Sequence, residues 1–135
     1  MKFPPDVQFH PDLHLFLWKP RGVLDEAGVN QILDFISDLE AQSEANELRF
    51  TDTTALTAVD LNFRYIFHVA LYRRLTRMER TPLKSAFFVE GETFAHYFKL
   101  HAVLTDHSAL HARIFEEREA AAKWLDVPVQ MLTIP

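Results

Sequence analysis

The sequence predicts a single α/β domain with one mostly parallel sheet, an antiparallel hairpin at its start and helices on both faces. Strand-type and helix-type patterns alternate in the order β-β-α-β-α-β-α-β-α, which favours a parallel sheet covered by helices. Two short strand patterns open the chain and are separated by a turn signal, Pro11-Asp12. The length of 135 residues fits one domain, covering 1–135.

The first half of the chain supplies the hairpin, one helix and one further strand. The hairpin strands are predicted over 7–10 and 13–18, where leucines alternate along the second strand. Asp25 precedes a pattern with apolar residues at spacings of three and four, and its carboxylate is suited to cap that helix. A short apolar run over 48–51 predicts the next strand.

The second half continues the alternation. A long apolar helix pattern covers 60–77, with Asp60 expected to cap its first turn. The run over 86–89 is apolar on both faces, as a central strand covered by helices would be. Three further elements complete the order: a helix opened by Gly91, a strand over 110–115 and a helix over 117–126.

Composition excludes several classes of function. The net charge of −5 argues against general nucleic-acid binding, which requires an excess of Lys and Arg. The absence of Cys excludes disulfide bonds and thiolate chemistry. The amino terminus has no apolar core typical of a signal peptide, and no apolar run approaches the roughly 18 residues of a membrane span. A cytoplasmic location is therefore expected.

The segment from Asp52 to Phe63 carries a family resemblance. It joins a strand to a helix through a Thr-rich loop and is similar to the STAS pattern Asp-Leu-Ser-Gly-Val-x-x-Ile-Asp-Ser-Ser-Gly. The matching positions are Asp52, Thr54, Leu56, Val59 and Asp60. The tail over 113–125 resembles the strand-then-helix ending of the SpoIIAA-like proteins, a narrower group of STAS-like domains. The resemblance extends over about 13–125 and implies the same α/β fold.

The resemblance also implies a regulatory loop and a ligand class. In STAS anti-sigma-factor antagonists a partner kinase phosphorylates the second Ser of Asp-Ser-Ser-Gly. Asn62 stands at that position and has no hydroxyl, so we predict no phosphorylation switch there. Thr54 and Thr57 remain alternative acceptors beside Asp60, although hydroxyls bonded to the local backbone are the favoured interpretation. SpoIIAA-like proteins resemble CRAL-TRIO lipid carriers, which implies binding of a lipophilic molecule.

The helix predicted over 60–77 has more apolar surface than packing on a sheet requires. At 100° per residue its apolar side chains form two stripes. The second stripe consists of Phe63, Phe67, Leu71 and Met78, with Ile66 and Ala70 beside it. It needs a cover, which can be the helix over 92–105, a second copy of the chain or an apolar ligand. We expect Phe63 and Phe67 to line a dimer interface or a ligand pocket. The predicted ligand-binding residues are Phe63, Ile66, Phe67, Phe94 and Phe98.

A basic stretch lies at the carboxyl end of the same helix and continues to Lys84. A solvated helix end is its favoured interpretation, and a patch for anionic lipids or an acidic partner is the alternative. The residues of this patch are Arg73, Arg74, Arg77, Arg80 and Lys84.

Catalytic and metal-binding signals are weak. The chain has no Gly-x-Ser-x-Gly motif and no Gly-rich phosphate loop. Its histidines lack the i, i+4 spacing on one helix that a zinc site favours, so we predict no metal and no cofactor. We therefore expect a non-enzymatic carrier or sensor of a small lipophilic ligand that forms a homodimer and contacts the membrane periphery. The alternative is a module that binds a regulatory protein; an enzyme ranks third.

Overall fold

The structure is a computed structural model that describes residues 4–42, 48–76, 83–92, 94–104 and 110–134. Seven strands and four α-helices lie within these ranges. The strands are β1 (Val7–His10), β2 (Leu15–Trp18), β3 (Gly22–Asp25), β4 (Leu48–Asp52), β5 (Leu56–Asp60), β6 (Leu83–Phe88) and β7 (Leu110–Phe115). The helices are α1 (Glu26–Gln42), α2 (Phe63–Thr76), α3 (Ala95–Leu104) and α4 (Arg118–Leu125).

Five strands form the main sheet in the order β1-β2-β4-β6-β7. The β1–β2 pair is antiparallel, and the three other pairs are parallel. The predicted fold class is thus confirmed, including the amino-terminal hairpin. The run 86–89 contributes to β6, which lies between two other strands as expected for a central strand.

Alternate residues of the strands face two different layers. Leu15, Phe50 and Phe88 belong to a core that includes Ala121 and Leu125 of α4. The intervening residues face the other way, and Phe16 packs there with α1. Because side chains alternate across a strand, one sheet carries two cores, and α4 covers the face opposite α1.

A second, two-stranded sheet was not predicted. β3 and β5 pair in parallel, with Leu24 opposite Val59 and Asp25 opposite Asp60. The segment expected to be a Thr-rich loop from Asp52 to Asp60 therefore contains a strand, and Thr57 lies within it. The two strands come from segments more than thirty positions apart in the sequence, so no local pattern predicts their pairing.

The expected cap of α2 was wrong, whereas that of α1 is confirmed. Asp60 is the exposed last residue of β5, and α2 begins at Phe63. Asn62 caps this helix because its Oδ1 accepts the Tyr65 amide hydrogen at 2.7 Å. At the start of α1, Asp25 Oδ1 accepts the Gly28 amide hydrogen at 2.9 Å.

Candidate functional site

A cavity of about 120 Å³ lies between the main sheet and helices α1, α2 and α3. Its wall is mostly apolar, which is typical of sites for small molecules. The sheet supplies Phe16, Trp18, Arg49, Thr51, Ser85 and Phe87. The helices supply Val29, Ile32, Leu33, Ile36, Tyr65, Ile66, Val69, Tyr97, Phe98 and His101, and Leu24 and Leu61 complete the described wall.

Strand register explains the arrangement of the cavity floor. Arg49 is paired in register with Phe16 on β2 and with Ser85 on β6. Two residues further along, Thr51 is paired with Trp18 and Phe87 in the same way. The floor therefore consists of two rows, and Arg49 and Ser85 are neighbours in the first of them.

Polar contacts connect the helices above the cavity. The Tyr65 hydroxyl of α2 donates to Asn30 Oδ1 of α1 at 2.6 Å, and the Tyr72 and Ser37 hydroxyls lie 3.3 Å apart. Burial, and secondarily the negative charge of Glu26, raise the pKa of Tyr65 above its usual value. Tyr65 therefore stays protonated at neutral pH and keeps its donor.

The predicted ligand-binding residues divide into two groups. Ile66 and Phe98 are buried and line the cavity. Phe63 and Phe67 point to solvent, with 61% and 51% of their surface exposed. Phe94 is half-buried and packs against the cluster that contains Phe98. The predicted five residues therefore do not surround one pocket.

Helix α3 covers only part of the second apolar stripe of α2. The Phe63 ring lies 6.0 Å from the Tyr97 ring of α3. Phe67 and Leu71 nevertheless remain about half exposed, whereas Ile66 and Ala70 are buried. The exposed face of α2 is defined by Phe63, Phe67 and Leu71.

The predicted regulatory loop, with Thr54, Thr57, Asp60 and Asn62, is held at its start by hydrogen bonds to Asp52. Asp52 is fully buried, and its Oδ1 accepts hydrogen bonds from the Thr54 amide at 2.9 Å and the Thr54 hydroxyl at 2.7 Å. The Thr54 hydroxyl thus bonds locally, but to the Asp52 carboxylate and not to the backbone favoured from the sequence. Thr57 is exposed within β5, and Asn62 is occupied in capping α2.

The residues of the basic patch do not all share a surface. Arg73 and Arg74 lie in the last turns of α2, while Arg77 and Arg80 lie outside the described residues. Lys84 lies on β6, where its Nζ donates to the Trp124 carbonyl oxygen at 2.9 Å and stands 5.3 Å from the Trp124 ring centre. Lys84 thus contacts α4, on the sheet face opposite the cavity.

Sequence reasoning missed Arg49, Ser85 and His101, the polar residues that line the cavity with Thr51. One signal for Arg49 was present in the sequence, since a charged residue within a short apolar strand is unusual. The described ranges hold no group of three His, Asp or Glu side chains able to share a metal ion. None of the described helices is long and apolar enough to span a membrane.

Comparison with known proteins supports the fold. No model of a known family matches the sequence, and no curated protein matches it. A solved structure that does match is an uncharacterized protein of the DUF3478 family from Shewanella loihica, described as having a SpoIIAA-like fold. The two chains are 19% identical, the match covers 82% of this chain and 83% of that one, and the TM-score is 0.52. The SpoIIAA-like resemblance is confirmed at the level of the fold.

Proposed function

We propose that this domain binds a small lipophilic ligand in the cavity between the main sheet and α1, α2 and α3. The observation that carries the proposal is the mostly apolar pocket of about 120 Å³, because apolar pockets with a few polar groups are the usual sites for small molecules. An engineered cavity of about 150 Å³ in another protein binds benzene. The space therefore suits one ring or a branched chain of similar volume better than a long lipid.

The contacts above the cavity support a route of entry. The hydrogen bond between Tyr65 and Asn30 is exposed, as is the contact between Ser37 and Tyr72. Water can replace such contacts at modest cost when two helices separate. The α4 core lies on the other side of the sheet, so it can stay packed while α1 and α2 move apart.

The proposal includes no chemical reaction. His101 lies at the cavity wall, with its ring edge-on to Phe87 at 5.8 Å between centres. Binding requires only the space and the mostly apolar wall of the cavity.

Toluene is a suitable probe of the cavity. At five times its dissociation constant, toluene should stabilise the protein by about 1 kcal/mol. That gain corresponds to a rise of about 3 °C in the Tm. The Ile66→Trp variant should fold but show no such rise, because the indole occupies the space that toluene needs. Thermal unfolding followed by circular dichroism measures both quantities.

The matched control is Leu71→Trp, which adds the same side chain to the exposed face of α2. It should respond to toluene as the wild type does. An absence of stabilisation in the wild type, or equal stabilisation of the Ile66→Trp variant, would contradict ligand binding in this cavity.

A second candidate function is supported by the exposed face of α2. Phe63, Phe67 and Leu71 leave an apolar surface uncovered among the described residues, and such surfaces mark protein contacts. We propose as the alternative that this face binds another protein chain, either a second copy or a regulatory partner. Attraction of the basic stretch to an anionic membrane stays a prediction.

A further inference from the structure

We propose that the ligand is a small apolar alcohol or phenol and that the hydroxyls of Thr51 and Ser85 bind its hydroxyl group. The inference rests on the proposed function and adds the chemical class of the ligand to it. Thr51 lies on β4 and Ser85 on β6, and both residues line the cavity from the main sheet. Both are buried, with 7% and 6% of their surface exposed.

Neither of these two hydroxyls has a hydrogen-bond partner among the described residues. The buried Thr53 hydroxyl of the same segment, by contrast, donates to the Phe88 carbonyl oxygen at 2.8 Å. Buried polar groups are nearly always hydrogen-bonded, because a buried group without a partner costs free energy. Two unpartnered hydroxyls in the wall of one cavity are therefore available to a molecule that occupies it.

The strand register places the two hydroxyls close enough to share one ligand group. Ser85 is paired with Arg49, so Thr51 lies two residues further along β4 on the same face. The usual spacings of a sheet put the Cα atoms of such diagonal neighbours roughly 8 Å apart. An oxygen between the two side chains can reach both, since each O–H···O bond spans about 2.7 Å and each hydroxyl extends from its strand.

A neutral hydroxyl group suits this pair of side chains better than a carbonyl or an ion does. A ligand hydroxyl can accept a hydrogen bond from one side chain and donate one to the other, whereas a carbonyl only accepts. An ion loses far more hydration than a neutral group on entering an apolar cavity. Arg49 and His101 also line the cavity, but each already makes an interaction within the protein, so neither is assigned to the ligand.

Phenol and toluene are the matched probes for this cavity. A volume of about 120 Å³ suits a single ring, and the two molecules differ only by a hydroxyl in place of a methyl group. Titration calorimetry with the wild-type protein should give a dissociation constant for phenol equal to or below that for toluene. A wholly apolar cavity would bind toluene roughly tenfold or more tightly than phenol, because phenol would lose its hydration without compensation.

The second measurement removes both hydroxyls and leaves the apolar wall in place. The double variant Thr51→Val/Ser85→Ala should bind phenol roughly tenfold or more weakly than the wild type, since two hydrogen bonds are lost. It should bind toluene at least as tightly as the wild type does. Thr57→Val is the matched control, because Thr57 is exposed on β5 and lies outside the described cavity wall. That variant should bind both probes as the wild type does.

The stability of the ligand-free protein gives an independent readout. Because the two hydroxyls have no partner among the described residues, the double variant should unfold at the same temperature as the wild type or at a higher one. Ser85→Ala should behave in the same way. If the Tm of both variants falls by more than about 3 °C, or both fail to fold, the hydroxyls stabilise the protein itself and the inference is overturned.

The outcomes separate this inference from the proposed function. If the wild type binds toluene more tightly than phenol, the hydroxyl inference is wrong and the binding function stands. If it binds neither probe, both are wrong. A phenol affinity that survives in the double variant, or falls equally in Thr57→Val, overturns the role of Thr51 and Ser85. If only the double variant fails to fold, Ser85→Ala decides the question, since loss of one hydrogen bond should weaken phenol binding severalfold.

Discussion

Asp52 is fully buried at the carboxyl end of β4 and accepts three hydrogen bonds. Two come from Thr54, and the third comes from Arg118 Nη2, which lies 3.0 Å from Oδ2. The Arg118 guanidinium also lies 5.0 Å from the centre of the Phe88 ring. The ion pair thus connects the carboxyl end of β4, the middle strand of the main sheet, to the first residue of α4.

We expect Asp52→Asn to lower the free energy of unfolding by about 2–3 kcal/mol, because it removes a buried charge from a hydrogen-bonded pair. The Arg21–Asp6 pair offers a matched control, since its atoms are 2.8 Å apart but both side chains are partly exposed. Asp6→Asn should cost about 0.5 kcal/mol or less. Urea denaturation measures both losses, and equal losses would contradict a special role for the buried pair.

At the scale of single residues, motif matching located Asp52 but not its partner. Arg118 lies 66 positions away, and only the tertiary fold brings the two together. Arg49 was overlooked for a related reason. Its neighbours Phe16 and Ser85 come from other strands, so the polar region of the cavity does not exist in any local stretch of sequence.

At the scale of elements, the bounds of α1 and α4 were predicted closely. Asp25 caps α1 as expected, and α4 spans Arg118–Leu125 within its predicted range of 117–126. For α2 only Asp60 was predicted as the cap, although helix-capping preferences do not separate Asp from Asn and Asn62 lies two residues further on. Because β5 pairs with β3 as far as Asp60, this residue belongs to a strand and cannot start the helix. Asn62 is the residue that caps α2.

The two candidate caps can be compared directly. Asn62→Ala should lower the free energy of unfolding by about 1 kcal/mol, because the Tyr65 amide loses its acceptor. Asn62→Ser should stay close to the wild type, since serine caps helices well. Asp60→Ala, at the exposed end of β5, should change stability by about 0.5 kcal/mol or less. A larger loss for Asp60→Ala than for Asn62→Ala in urea denaturation would contradict this assignment.

For the whole molecule, alternation of apolar patterns was sufficient to predict the sheet and its covering helices. The three inner strands β2, β4 and β6 bury residues on both faces, and such double burial favours continuous apolar runs in the sequence. The cavity could not be predicted in that way. Volume left between packed layers depends on how side chains from six or more segments fit together, and periodicity carries no information about that fit.

The exposed face of α2 is the feature of the whole molecule that most directly predicts assembly. Phe67 lies at the centre of this face, with Phe63 and Leu71 one turn away on either side. A dimer that buries the face would recover roughly 25 cal/mol for each Å² of apolar surface removed from water. We therefore expect the wild-type protein to sediment as a dimer.

Phe67→Asp should convert that dimer to a monomer without unfolding it, because the half-exposed phenyl ring contributes little to the monomer core while a carboxylate opposes apolar contact. Val129→Asp is the control, since Val129 is also partly exposed but follows α4 on the other side of the sheet. That variant should sediment as the wild type does. Sedimentation velocity with circular dichroism distinguishes the outcomes. If Phe67→Asp unfolds, the ring belongs to the monomer core and the dimer prediction for this face is wrong. If the wild-type protein is a monomer, the face does not bind a second copy, and a different protein is then the expected partner.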